Sequence, residues 1–296
     1  MTCLRIHSRL PRRAILPALI LFFVGCTNLD DVAQLTKLAD SAQQTLPPVI
    51  ADLAGSCERQ NHLLGDIPDN EKPPGMALQN CKEYQDVADH ITKDQAVLIA
   101  YFDALGKLAA NTPLSYSSNL PANAATIGKL PNLSAHAVAI HTAAQNIGKI
   151  LADAVTKSYR QKKVDALIQQ TDGDIQELAG DLKKVVVEDY AGILSIESLT
   201  LDTYYKSPME AAIAARSERL ALIVVQRQRD GDISALDSRK AAAMNYGQVM
   251  DKLAALHAKL KQEADKKASL REIGEQVGPL VSDLKDAISK LQAGLK

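Results

Sequence analysis

Two short segments carry acidic residues at spacings that could bind a calcium ion. Residues 169–175 have the sequence QQTDGDI, and residues 227–233 have the related sequence RQRDGDI. Oxygen ligands at alternating positions suit Ca²⁺, but a complete calcium loop also needs further oxygen ligands and a glutamate at its twelfth position. Neither segment has them, so we predict a glycine helix stop followed by an aspartate N-cap, with Asp174 and Glu177 at capping-box spacing.

The histidines and carboxylates do not form a pattern typical of catalysis. His136 and His141 are five residues apart, whereas helical metal ligands four apart share a face. We interpret the histidines as surface or boundary residues, and the acidic pairs as solvated helix faces. These residues are His62, His90, His136, His141 and His257, and the pairs Glu188-Asp189 and Glu263/Asp265.

Known catalytic motifs are missing from the sequence. It contains no nucleophile elbow, phosphate-binding glycine loop or His-Glu-x-x-His helix. We therefore predict no catalytic residue, no metal site and no cofactor. An enzyme that uses carboxylates in a cleft between helices is the least favoured of the alternatives left open.

The N-terminal segment suggests a different kind of chemistry. Arg5, Arg9, Arg12 and Arg13 precede the apolar residues 14–24, and no acidic residue interrupts them. A basic segment followed by a short apolar run is typical of an export signal. The run is about half as long as the roughly 20 residues that span a bilayer, so it is a poor permanent anchor.

The apolar run ends in Phe23-Val24-Gly25-Cys26, which resembles the lipobox of bacterial lipoproteins, although Phe23 stands where leucine is usual. The resemblance implies cleavage between Gly25 and Cys26, with fatty acyl chains such as palmitate attached to Cys26. A multiply acylated cysteine supplies the two lipid signals that stable anchoring needs. The residue after the cysteine is Thr27 and not aspartate, which resembles the pattern that sorts such proteins to the outer membrane in enteric bacteria. The resemblance implies a lipoprotein that faces the periplasm.

This processing leaves two cysteines, Cys57 and Cys81, in a compartment that permits disulfides. Cys3 leaves with the signal and Cys26 carries the lipid. We predict that Cys57 and Cys81 pair and staple a helical hairpin. Two free thiols are the alternative.

Charge and composition argue against nucleic acid as a partner. The 34 basic and 35 acidic residues of the chain become 30 and 35 once the four arginines of the signal leave. No basic stripe free of acids is present to neutralise phosphates. Aromatic residues make up 4% of the chain, with no tryptophan, which disfavours a large small-molecule site.

Apolar residues three and four positions apart predict helices along most of the chain. The C-terminal stripe is the clearest, and a second apolar face precedes it. The stripe contains Leu270, Ile273, Val277, Leu280, Leu284, Ile288, Leu291 and Leu295, and the preceding face contains Tyr246, Val249, Leu253, Leu256 and Leu260. No alternating run is long enough for a sheet, so we predict an all-α antiparallel bundle of about five to seven long helices.

Prolines and caps suggest the boundaries. We predict a first helix bent at Pro47-Pro48, a helix start at Ser207-Pro208-Met209-Glu210, and a kink or break at Pro279. The predicted organisation is a signal peptide at 1–25, a lipidated tether at 26–33, a stapled hairpin at 34–110, a Pro/Ser-rich linker at 111–132 and a bundle at 133–296. The apolar residues 220–225 leave open a membrane-perturbing helical protein, but they are more simply explained as part of a buried helix.

A lipid-tethered helical bundle without catalytic motifs favours protein recognition. Our leading hypothesis is a periplasm-facing binding or scaffold lipoprotein that docks a protein partner, for example as an inhibitor or immunity factor. The acidic surplus would suit a basic partner. The alternative is a structural envelope lipoprotein that associates with itself.

Overall fold

The computed structural model describes residues 28–72, 75–110, 112, 134–155, 160–214 and 219–295. These residues are almost entirely helical and contain no strand, which confirms the predicted all-α bundle. The helices are α1 (Asn28–Thr45), α2 (Pro47–Asp66), α3 (Cys81–Ala109), α4 (Ser134–Val155), α5 (Arg160–Lys184), α6 (Ala191–Ala214), α7 (Arg219–Asp265) and α8 (Leu270–Gly294).

Two long rods form the spine of the bundle. A π-helical segment, Val185–Tyr190, joins α5 to α6 without a break, so that residues 160–214 run as one rod. The rod packs antiparallel to α7, as the contacts of Lys183 with Asp251 and of Tyr205 with Asp232 show. With 47 residues, α7 is about 70 Å long at 1.5 Å per residue.

The other helices pack around one end of this spine. The strongest neighbours of α1 are α3 and α8, while α4 lies against α3 and α5. Their buried Leu, Ile, Val and Ala side chains form one continuous core. All five residues of the apolar face predicted at positions 246–260 of α7 are buried. Five residues of the C-terminal stripe are buried as well: Ile273, Val277, Leu284, Ile288 and Leu291.

Three long-range contacts fix the direction of the chain within the bundle. Thr36 of α1 contacts Asp103 near the end of α3, and Cys57 of α2 is bonded to Cys81 at the start of α3. The helix pair α1 and α2 therefore runs antiparallel to α3. Tyr101 in turn contacts His257 near the end of α7. The N-terminus of α1 thus lies at the end of the bundle opposite to the junction between α6 and α7.

The predicted helix start at Ser207 is wrong. Helix α6 continues through Pro208 to Ala214. Pro208 is exposed, so water can satisfy the carbonyl group that loses its helical partner.

The predicted glycine stops and aspartate caps are also wrong, because both Asp-Gly-Asp segments lie inside helices α5 and α7. Asp174 accepts a hydrogen bond from Asn146, and Asp232 accepts one from Tyr205. Tertiary packing of the two rods outweighs the cost of about 1 kcal/mol for a glycine within a helix. No cluster of potential metal ligands occurs among the described residues.

The prolines and caps in the rest of the chain give a mixed outcome. The predicted bend between the first two helices falls at Leu46, just before Pro47-Pro48, whereas α8 runs through Pro279 without dividing. Helix α8 begins with a capping box between Ser269 and Glu272 that the sequence analysis missed. The signal segment and most of the predicted linker lie outside the described residues. No described helix has the length and apolarity needed to cross a membrane.

Gly106 marks the closest approach of α1 to α3. A Cβ atom there would lie 2.5 Å from the hydroxyl oxygen and 2.6 Å from the backbone nitrogen of Thr36. We expect Gly106→Ala to lower the free energy of unfolding by about 1–3 kcal/mol, because backbone must move to make room. Urea unfolding measures the change.

Gly180→Ala is the matched control for this prediction. No atom would lie within 4 Å of its added Cβ, and Gly180 lies within α5. This substitution should stabilise the protein by up to about 1 kcal/mol. Equal effects of the two substitutions would contradict the close contact between α1 and α3.

Candidate functional site

The candidate site is a cleft of about 430 Å³ between α2, α6 and α7, which we call the central cleft. Its lining combines small and apolar residues with charged or polar ones. The first group is Gly55, Leu63, Leu201 and Ala235, and the second is Glu58, Arg59, His62, Glu197, Asp232 and Arg239.

The wall of the central cleft is built around the buried carboxylate of Glu197, on α6. Arg59 of α2 donates from Nε to Oε1 at 2.7 Å, and Arg239 of α7 donates to the same oxygen at 2.7 Å. Ser56 donates to Oε2 at 2.5 Å. One carboxylate thus connects three helices, and each of its oxygens accepts hydrogen bonds from protein groups.

A second carboxylate, Asp52, completes this polar network. Arg59 binds Asp52 through two nitrogen atoms, at 2.8 and 2.7 Å. Both residues lie on α2, and the ion pair passes over Gly55, where a Cβ would lie 2.9 Å from Asp52 Oδ1. Glycine at this position therefore leaves room for the ion pair.

The π-helical segment supplies a further member of the network. Tyr190 is its last residue, and its hydroxyl donates to Asp52 at 2.5 Å. A π-helical turn changes the rotation of the helix around its axis. The π-helical segment lies where the neighbours of the rod change: α5 packs against α7, whereas α6 packs against both α7 and α2.

The electrostatics of the network are those of a structural cluster. Burial disfavours the charged guanidinium of Arg59, but hydrogen bonds to Asp52 and Glu197 outweigh this effect and raise its pKa. Burial, followed by the charge of Asp52, raises the pKa of Tyr190 well above its usual value. Arg59 and Arg239 balance the charges of Asp52 and Glu197, and neither carboxylate is left open for proton transfer.

Two carboxylates that line the central cleft, those of Glu58 and Asp232, are not neutralised by any described cation. We call these two residues the rim of the cleft. Glu58 is exposed on α2, and it forms no ion pair among the described residues. Asp232 on α7 accepts hydrogen bonds from Tyr205 and Gln228, which are uncharged. The cleft therefore combines apolar residues such as Leu63 and Leu201, a buried carboxylate neutralised by two arginines, and a negatively charged rim.

The structure bonds Cys57 to Cys81, as predicted, with their Cα atoms 5.5 Å apart. The bond joins α2 to the first residue of α3. Asn61 strengthens this junction by donating to the carbonyl oxygen of Gln79 at 2.8 Å. The other predicted site residues, Gly25 and Cys26, lie outside the described residues.

Two histidines that we expected at the surface are buried in the core, so that prediction is wrong for His141 and His257. His257 Nδ1 lies 3.0 Å from Asp172, and its Nε2 lies 2.8 Å from the hydroxyl of Tyr101. The carboxylate can only accept, so Nδ1 carries the proton and Nε2 accepts from Tyr101. His141 lies 3.2 Å from buried Asp94. Hydrogen bonds to these partners offset the cost of burying the rings.

The Asp172–His257–Tyr101 chain resembles a proton relay, but its position suits a structural role. Tyr101 and His257 are fully buried. Burial lowers the pKa of His257, and the neighbouring Asp172 only partly opposes this effect. Burial therefore favours the neutral ring, and solvent reaches the chain at Asp172, whose side chain is 30% exposed.

Comparison with known proteins gives no family for this chain. No family model, no curated protein and no solved structure matches it.

Proposed function

We propose that this chain is a lipid-anchored protein of the bacterial envelope that binds a protein partner in the central cleft. The proposed anchor is the acylated Cys26, and the bundle faces the periplasm from the outer membrane. The observation that carries the proposal is the negative rim of the cleft, formed by Glu58 and Asp232 beside apolar residues such as Leu63 and Leu201.

The character of the cleft favours a basic segment of the partner. Its volume of about 430 Å³ accommodates one long side chain with part of its backbone. The methylene groups of a lysine or arginine can lie on Leu63 and Leu201 while the cation reaches Glu58 or Asp232. The acidic surplus of the processed chain also favours a basic partner.

The polar network supports binding rather than catalysis. The carboxylate oxygens of Glu197 already accept hydrogen bonds from arginines and a serine. Such a carboxylate is a poor general base, because a substrate would have to displace these donors. It instead holds α2, α6 and α7 at a fixed separation, which preorganises the cleft.

Site-specific photo-crosslinking in cells tests this proposal. The photoreactive residue replaces His62, which lines the cleft and has a side chain that is 79% exposed. The control position is Lys285, which is exposed on α8. We expect a protein adduct at position 62 that is absent at position 285, with the crosslink next to a lysine or arginine of the partner.

Charge reversal at the rim provides the specificity control. Glu58→Lys should weaken the crosslink at position 62 by about tenfold, because it places like charges together. Raised salt should weaken the crosslink as well. An identical set of adducts at positions 62 and 285, or an adduct that survives Glu58→Lys unchanged, would contradict binding in the central cleft.

A further inference from the structure

The end of the hairpin formed by α6 and α7 exposes several large apolar side chains. We call residues 206–214 and 219–229 the arm. None of its described side chains is buried. This finding contradicts the expectation that residues 220–225 belong to a buried helix. Its large exposed apolar side chains are Ile213 (60% exposed), Leu220 (75%), Ile223 (38%) and Val224 (58%).

The apolar residues of the arm cover all sides of α7. Residues 220–225 are six consecutive apolar residues, and at 3.6 residues per turn they extend around more than one full circumference. Ala221, Leu222 and Val225 are partly buried, whereas Leu220, Ile223 and Val224 are exposed. A helix that is apolar all round is normally buried, so the arm is built to enter an apolar environment.

The arm is also basic. The arm contains four basic residues, Lys206, Arg219, Arg227 and Arg229, and one acidic residue, Glu210. Lys206, Arg219 and Arg227 are exposed. Arg229 pairs with Asp202 at 3.1 Å, so the three exposed cations and Glu210 leave the arm with a net charge of +2.

We propose that the arm binds an anionic lipid surface. Leucine, isoleucine and valine side chains would enter the outer part of the hydrocarbon layer, and the arginines would lie at the level of the lipid phosphates. A second copy of the chain fits less well, because its arm would bring the same positive charge. This inference goes beyond the cleft and does not depend on acylation of Cys26.

The arm lies far from the N-terminus of α1, which the proposed acylated Cys26 precedes by two residues. The N-terminus of α1 is at the opposite end of the bundle, and residues 219–257 of α7 alone extend about 57 Å. A bilayer that holds acyl chains at Cys26 and a bilayer that binds the arm would thus lie on opposite ends of an upright molecule. The protein would then bridge two lipid surfaces, a consequence that rests on the proposed acylation of Cys26, whereas lipid binding by the arm does not.

Vesicle sedimentation tests the proposal with a chain that begins at Thr27 and so carries no leader and no lipid. The described residues form one continuous core, so this chain retains the folded bundle. The probes are vesicles of phosphatidylcholine with and without phosphatidylglycerol. We expect binding to the anionic vesicles that falls with salt, and little binding to phosphatidylcholine alone.

Substitutions in the arm identify the surface that binds. Leu220→Glu together with Val224→Glu should lower vesicle affinity by about 100-fold, and Arg227→Gln by about fivefold. Because none of these side chains is buried, the variants should keep the helical content and thermal unfolding of the parent. Met244→Glu is the matched control, since Met244 is 55% exposed on the same helix outside the arm and should leave affinity unchanged.

Three outcomes would overturn the proposal. The first is no binding to anionic vesicles, and the second is binding that persists in the Leu220→Glu/Val224→Glu variant. The third is a concentration-dependent dimer, seen by light scattering, that this variant abolishes while vesicles are not bound. In that case the arm is an interface between two copies of the chain. None of these outcomes affects the crosslinking test of the central cleft.

Discussion

Replacing Glu197 with alanine is expected to lower the free energy of unfolding by about 3–5 kcal/mol. Glu197 is buried and accepts hydrogen bonds from Arg59, Arg239 and Ser56. Without it, two guanidinium groups would face only Asp52 in a partly buried site. Most of the loss therefore comes from charge left without a partner. Urea unfolding, followed by helical circular dichroism, measures it.

Asp237→Ala is the matched control for this prediction. Asp237 lies on α7 with its side chain 67% exposed, and its ion pair with Lys240 is 4.0 Å long. Exposed ion pairs contribute little, so this variant should stay within about 1 kcal/mol of the parent. A loss for Glu197→Ala no larger than the loss for Asp237→Ala would show that the network does not hold α2, α6 and α7 together.

Removing the Cys57–Cys81 bond is expected to cost about 3 kcal/mol. The bond closes a loop of 24 residues and therefore restricts the unfolded chain. The double variant Cys57→Ala/Cys81→Ala tests this expectation by urea unfolding. Alanine avoids placing a serine hydroxyl at the buried position of Cys57.

Reductant provides the control for the disulfide. Dithiothreitol should lower the stability of the parent to about that of the double variant and leave the double variant itself unchanged. Thiol labelling of the native protein should find both cysteines protected until reductant is added. Labelling of Cys57 and Cys81 without reductant would contradict the bond.

Periodicity was sufficient to predict the helices because most of them bury one continuous stripe. In α3, which begins at Cys81, apolar residues at helical spacing, Val87, Ile91, Val97 and Leu98, are all buried. These stripes are long, and each is determined by the sequence of a single helix. The disulfide was predictable for a different reason: after Cys3 and Cys26 were assigned to the signal and the lipid, only Cys57 and Cys81 were left to pair.

Local start and stop signals were less reliable because tertiary packing outweighs them. The two Asp-Gly-Asp segments read locally as caps, yet buried neighbours such as Ile175 and Leu236 keep both rods helical. Residues 220–225 show a second limit of prediction from sequence. Their apolarity predicts burial, but whether a helix end is covered depends on the lengths of the neighbouring helices.

The central cleft could be predicted only in part. Asp52 and Arg59 lie seven residues apart, a spacing that places them on one face of α2. Glu197 is 138 residues from Arg59 and 42 from Arg239, so that only the fold brings the three together. The π-helical segment that orients Tyr190 has no sequence signal that we could have used.

Export of the chain and acylation of Cys26 are predictions from the lipobox, and the proposed envelope location depends on both. Mass spectrometry of the protein purified from membranes of its host is the decisive measurement. We predict an N-terminal peptide that begins at Cys26 and carries a diacylglycerol on sulfur, and a Cys26→Ser variant that keeps its leader. A native protein with an intact leader and an unmodified Cys26 would contradict the lipid anchor and the envelope location.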